Sequence, residues 1–284
     1  MSRDMPENAL MEVTDIEKYV LNSEALLRLS CFGAIFVVMM LWEIIAPRRA
    51  LTVPKVQRWT HNIALMLLNS LVLRLLFPAA AVGIAYAAGN AGWGLFNLVN
   101  LPFWLEVTAA VLLLDFSIYL QHLLMHQLPL LWRLHRVHHA DLDIDMTTGS
   151  RFHTIEIIFS MLIKWLVIIL LGPALLAVLI FETLLNGMAV FNHANVRLPL
   201  KLDRVLRKLV VTPDMHRVHH SILRSETNSN YGFNLSIWDR IFGTYIDQPE
   251  KGHTEMTIGI PEFRDADQVD RLPGMLTLPF VGKT

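Results

Sequence analysis

Long apolar stretches broken by short polar segments dominate the first two-thirds of the chain. A helix that crosses a bilayer needs roughly 17–25 mainly apolar residues. Five stretches meet that length: Leu27–Ala46, Asn62–Ala88, Phe103–Gln121, Ile155–Leu171 and Ala174–Phe191. Pro78 interrupts the second, so it is expected to cross as a tilted or kinked helix. Gly172-Pro173 separates the fourth from the fifth and predicts a tight helical hairpin. Residues 1–26 carry six scattered acids and no basic start followed by an apolar core, so they read as an exposed leader and not as a signal peptide. Residues 27–193 read as the transmembrane region and the more polar residues 194–284 as a C-terminal region outside the bilayer. The expected fold is an all-α integral membrane bundle of about five spans with a histidine-rich helical cap.

Composition agrees with a membrane protein. The 284 residues are 54% hydrophobic and 17% charged, against about 45–50% and about 25% in soluble domains. A net charge of -1 gives no reason to expect a nucleic acid partner. The distribution of charge is more informative. Arg48, Arg49, Lys55 and Arg58 follow the first span, Arg133, Arg136 and Arg151 follow the third, and a run beginning Arg197, Lys201, Arg204 follows the fifth. The segment 89–102 and the Gly172-Pro173 turn hold no lysine or arginine. Basic loops stay on the cytoplasmic side. Five passes with the N-terminus outside satisfy every loop, and they place the segments that follow spans three and five inside. The membrane is then a cell inner membrane in a bacterium or the endoplasmic reticulum in a eukaryote.

Those cytoplasmic segments hold the candidate chemistry. The chain has twelve histidines and one cysteine, Cys31, which excludes a disulfide framework or a thiolate zinc site. His122-Leu-Leu-Met-His126 closes span three, His135-Arg-Val-His138-His139 follows it, and His216-Arg-Val-His219-His220 repeats the second motif. Residues at i, i+3 and i+4 share a helix face, so in each pentapeptide the first histidine pairs with the next two. A lone histidine on an apolar face is most often a satisfied core residue. Composition alone gives a His-x-x-His-His roughly 0.02 times in such a chain, so two of them beside a His-x-x-x-His point to metal. Eight imidazoles suffice for two ions with a position left for O2 or water. Imidazole suits zinc, copper, iron and nickel. The His-Glu-x-x-His of zinc hydrolases is absent. A neutral all-imidazole set suits a centre that must be reduced before it meets O2.

The three histidine motifs resemble the boxes of the fatty acid hydroxylase/sterol desaturase superfamily. The resemblance extends to Trp132-Arg-Leu, Thr212-Pro-Asp, Phe191-Asn-His-Ala-Asn195 and the stretch 230–244, and it covers roughly residues 105–247. It implies a non-haem enzyme with two iron ions, open to replacement by zinc on purification, that hydroxylates a C–H bond of a sterol, fatty acyl chain or related membrane lipid with O2. Desaturation by the same site is the alternative. It implies His122, His126, His135, His138, His139, His216, His219 and His220 as ligands, and His193 as a ninth. His153 resembles a further family histidine and is either a ligand, a neighbour of the ligands or a helix-start residue. No dinucleotide or haem motif is present, so a separate ferredoxin, cytochrome or flavin reductase is expected to supply electrons. From a different class, a non-catalytic metal-binding or transport protein would string its ligands across the membrane.

Four further polar residues have two readings each. Asp115, two turns before His122, is either the carboxylate that orients a ligand or a helix-packing residue, and Tyr119 shares its face. Glu182 and Asn186, on the stripe that leads to His193, either face the metal or hold helices together. Lys164 is expected to snorkel or to pair with such a carboxylate. Asp141, Asp143 and Asp145 read as a solvated turn.

Overall fold

In lipid a backbone has no water to bond, so each apolar stretch must satisfy its own peptide groups and does so as helix. The computed structural model describes residues 7–282, which form helices and connecting turns, with no β-strand among the described residues. Five helices are long and apolar enough to cross a membrane, and the expected all-α, multi-pass architecture is the one observed.

The first crossing is α1 (Glu7–Ile45). The stretch expected as a leader, 1–26, is helical from Glu7 and runs into the span without a break, while residues 1–6 lie outside the described residues. The second crossing is broken at Pro78 into α2 (Lys55–Leu76) and α3 (Ala80–Ala91). Trp165 bridges the break, donating from its indole to the Ala80 carbonyl at 3.1 Å and meeting Phe77 edge-on. A short α4 (Leu95–Leu98) precedes the third crossing, α5 (Phe103–Gln127). After α6 (Pro129–His139) come α7 (Thr154–Leu171) and α8 (Leu175–His193), the expected hairpin. Its Gly172 sits at φ 59, and a side chain there would strike the Trp93 carbonyl at 2.1 Å. The α3–α4 corner and the α7–α8 turn are therefore pressed together at one end of the bundle.

The opposite end carries the cap: α9 (Leu200–Leu206), α10 (Pro213–His219), α11 (Arg224–Thr227), α12 (Ile237–Ile241) and later short turns. Its connection to the spans is ionic. Asp141, Asp143 and Asp145 are not a solvated turn: all three are fully buried, as are Arg58 and Arg151. Arg58 grips Asp141 with two bonds of 2.8 and 2.7 Å and also pairs with Asp145. Asp143 accepts from the Thr52 and Val53 amides at 2.7 and 2.8 Å. Arg151 reaches Asp270 at 2.9 Å and the Val137 carbonyl. The 140–153 loop is thus fixed at both sides, which sets the position of α6 against α7. The cap also reaches down the bundle. Trp238 and Phe242 pack on Phe116 in the middle of α5, with centroids 4.9 and 5.6 Å away.

Candidate metal centre

Three helices and one helix end deliver the clustered histidines. His122 and His126 stand one turn apart at the end of α5, and α6 carries His135, His138 and His139. Thr212 caps α10, its hydroxyl accepting from the Met215 amide, and Pro213 begins the helix that carries His216 and His219. His220 follows at its C-terminus and His193 ends α8.

The structure gathers these nine histidines into two adjoining groups. One holds His122, His126, His135, His139 and His219; the other holds His138, His193, His216 and His220. Within each group, one nitrogen per residue lies within 4.8 Å of those of the others. The pentapeptides do not each serve one group, as equal pairing of the first histidine with the next two would require. In box two the i, i+4 pair His135 and His139 joins the five-membered group and His138 the other. In box three the pair His216 and His220 joins the four-membered group and His219 crosses over. The groups touch where His139 stacks on His220 with centroids 4.5 Å apart.

The donor set fits metal ions. Nε2 of His219 lies 3.0 Å from Nε2 of His122, and Nε2 of His193 lies 3.1 and 3.0 Å from those of His138 and His216. Nitrogens bound to one ion at about 2.0–2.1 Å stand at about this spacing. Both ring nitrogens of His126 and His220 and Nε2 of His135 and His139 are buried with no hydrogen-bond partner among the described residues. Burial pushes the imidazoles of His138, His139, His216 and His220 well below their ordinary range and His219 down to about 3, and neighbouring histidines push the same way. Neutral rings keep their lone pairs, and a buried lone pair without a donor is what a cation satisfies.

The outer nitrogens are held by the protein. Nδ1 of His122, His193 and His219 faces the carbonyls of Tyr231, Ala189 and Ser229 at 2.8, 2.8 and 2.6 Å. Nδ1 of His135 faces Oε1 of Glu156 at 2.7 Å. Glu156, in the first turn of α7 and 3% exposed, makes with His135 the kind of contact that was expected of Asp115 with His122. The sequence hid it because it lies 21 residues from its partner on another helix. Gly149 sets His193: a side chain on it would strike the Ala189 carbonyl at 2.1 Å and His193 Nδ1 at 3.2 Å.

The remaining expected residues stand apart from the histidine groups. Asp115 accepts from the Trp238 indole at 2.8 Å, so α12 takes up the carboxylate expected to orient His122. His153 takes the helix-start alternative, capping α7 by accepting from the Ile155 amide, with its other nitrogen facing the Leu276 carbonyl at 3.2 Å. Glu182 pairs with Lys164 and with Arg28, tying α8 to α7 and α1. Asn186 donates to the Glu182 carbonyl one turn back at 2.8 Å. Glu182 follows the helix-joining reading, because two cations from neighbouring helices meet its carboxylate inside the bundle, whereas the bond of Asn186 stays within α8. The Tyr119 hydroxyl bonds Thr244 at 3.1 Å.

Comparison with known proteins falls on the same stretch of chain. Residues 107–244 match the model of the fatty acid hydroxylase family. The chain is 32% identical over 160 residues to the ornithine lipid hydroxylase OlsE of Rhizobium tropici, covering 55% of this chain and 46% of that protein. It is 31% identical over 196 residues to the alkylglycerol monooxygenase of Xenopus tropicalis, covering 67% of this chain and 42% of that protein. It is 30% identical over 155 residues to the methylsterol monooxygenase 2-2 of Arabidopsis thaliana, covering 53% and 58%. The chain thus spans about half the length of the curated relatives it matches. No solved structure matches it. Since every clustered histidine falls inside the matched residues, the chain belongs to the fatty acid hydroxylase/sterol desaturase superfamily.

Proposed function

We propose that this protein is an O2-dependent membrane oxygenase that hydroxylates a C–H bond of a membrane lipid at a centre of two irons, one in each histidine group. The observation that carries the proposal is the pairing of five and four imidazoles, all buried except the half-buried His126, at one end of a five-span bundle. The named relatives act on an ornithine lipid, an alkylglycerol and a methylsterol, which makes a lipid the substrate class. Iron in this setting supplies O2 activation. The chain's own residues supply the rest. Nine imidazoles hold the ions, the Tyr231, Ala189 and Ser229 carbonyls and Glu156 hold the imidazoles, and the buried 140–153 loop closes the site against water.

Ligands strung along a membrane path would favour metal transport, but all nine gather at one end. That end also carries Arg48, Arg49, Arg133, Arg136 and Arg151, and this basic charge supports assigning it to the cytoplasmic face. A separate ferredoxin, cytochrome or flavin reductase delivers electrons there. The test compares lipid extracts, by mass spectrometry, of cells expressing the parent protein and the His138→Ala and His219→Ala variants. A lipid that gains one oxygen only with the parent supports hydroxylation, and one that loses two hydrogens assigns desaturation. Identical extracts in all three, with an electron donor present and metal bound to the parent, overturn the proposal.

A further inference from the structure

The cap carries an apolar face whose outward side is exposed, although Phe242 also rests one side on Phe116 and Tyr119. In α12 and the residue after it, Ile237, Ile241 and Phe242 are exposed, Phe242 by 51%. On and beside α9, Leu200, Val205 and Leu209 are each more than 60% exposed. The two patches are one surface. The Ser236 amide donates to the Leu209 carbonyl, the Val211 amide donates to the Asn234 carbonyl, and Arg240 reaches the Arg207 carbonyl at 3.0 Å.

The depth of this surface is set by α5. Trp104, 63% exposed at the start of that helix, is placed where aromatic side chains mark a membrane interface. At about 1.5 Å per residue, Phe116 stands about 18 Å further along, short of the roughly 30 Å that the hydrocarbon occupies. Trp238 and Phe242 touch Phe116, and the Trp238 indole donates to Asp115. The outward face of α12 therefore lies at a depth where its neighbour is acyl chain.

Charge names the lipid. Arg197, Lys201, Arg204 and Lys208 are exposed along residues 197–209. The acid within that stretch, Asp203, is buried against Arg207, which leaves four exposed cations and no exposed carboxylate there among the described residues. Apolar side chains interleaved with cations are the composition of a segment that lies in the interface of an anionic leaflet.

We infer that α9 and α12 form a membrane-embedded pad, with Val205, Ile241 and Phe242 in the acyl region and Lys201, Arg204 and Lys208 on anionic phospholipid headgroups. The pad makes part of the C-terminal region a fixed partner of the leaflet and not a domain held clear of it. It rests on the membrane placement of the bundle and not on the reaction, so it stands or falls apart from the proposed activity.

The test uses the full chain with Cys31→Ser as background and single cysteines Val205→Cys, Phe242→Cys and, as an exposed control, Asp267→Cys, each carrying an environment-sensitive fluorophore. In phosphatidylcholine vesicles with brominated acyl chains, the labels at 205 and 242 are expected to lose most of their emission while the label at 267 keeps its own. Native mass spectrometry of protein from vesicles containing phosphatidylglycerol is expected to show retained anionic lipid. Retention is expected to fall roughly five-fold for each charge removed by Lys201→Gln, Arg204→Gln and Lys208→Gln. Labels at 205 and 242 as open to aqueous iodide as that at 267, or shielded from both iodide and bromine, overturn the pad. Bromine quenching with unchanged phosphatidylglycerol retention in the triple variant overturns the anionic headgroup assignment.

Discussion

Replacing Glu156 tests how the protein holds its metal. Glu156 Oε1 meets His135 Nδ1 at 2.7 Å with both side chains 3% exposed. A charge-assisted bond of this kind contributes about 1.5–3 kcal/mol, and loss of such an outer partner costs about 10–100-fold in metal affinity. Glu156→Ala leaves a buried Nδ1–H with no acceptor and frees the ring to turn away from the ion, so affinity is expected to fall by about that factor. Glu156→Gln keeps an acceptor oxygen and loses the charge. Since a charged acceptor is about twice as strong as a neutral one, a fall of about 3–10-fold is expected. The assay titrates metal-free protein in detergent against a chelator-buffered metal series. Asp115→Asn belongs in the same series, because Asp115 is engaged by Trp238, and its affinity is expected to match the parent's. If Glu156→Ala binds as tightly as the parent, or if Asp115→Asn weakens binding as much as Glu156→Ala does, the orienting role of Glu156 is refuted.

Three further outcomes follow from the geometry. Metal-free protein is expected to lose stability as pH falls below about 6.5. The unfolded chain then binds protons that the buried His138, His139, His216, His219 and His220 refuse, at up to about 1.4 kcal/mol per pH unit for each group, down to the depressed folded values; a melting temperature that stays level from pH 8 to pH 5 contradicts this. Arg58→Met leaves Asp145 buried without its cation and Asp141 with only the longer pair to Arg151, and is expected to cost about 3–5 kcal/mol, whereas Arg271→Met breaks only an exposed pair with Asp267 and is expected to cost about 0–1 kcal/mol; equal melting shifts in detergent would sink the distinction. Gly149→Ala drives a methyl into the Ala189 carbonyl and toward His193, an overpacking of about 1–3 kcal/mol, and is expected to empty the four-histidine group first, which an unchanged metal-to-protein ratio would contradict.

What the sequence revealed, and what it hid, separates along the distance over which an interaction acts. Spans and histidine pairs are local, set by hydropathy over a single helix and by the i, i+3 and i+4 spacing, and both were legible. The kink at Pro78 was legible for the same reason. Asp141, Asp143 and Asp145 looked solvated because Arg151, the one basic partner near them in sequence that reaches Asp141, does not suffice to bury three carboxylates. Arg58 comes from 83 residues away, a separation that spacing cannot reveal. Asp115 had the correct helical phase toward His122, but Trp238, 123 residues on, claimed it. The division of each pentapeptide between two groups depends on how α6 and α10 face each other, and no single helix encodes that.

That division bears on how the protein comes to be made. Both groups wait for the same late segment. Until residues 216–220 have left the ribosome, the five-histidine group lacks His219 and the four-histidine group lacks His216 and His220. By then all five spans have been synthesised, and Arg151 still awaits Asp270. On the proposed ligation the five-histidine group already has four of its imidazoles by then, whereas the other has only His138 and His193. Loading of the four-histidine group therefore has to follow box three, and a ribosome that stalls before it leaves behind an inserted bundle whose second site has two of its four imidazoles.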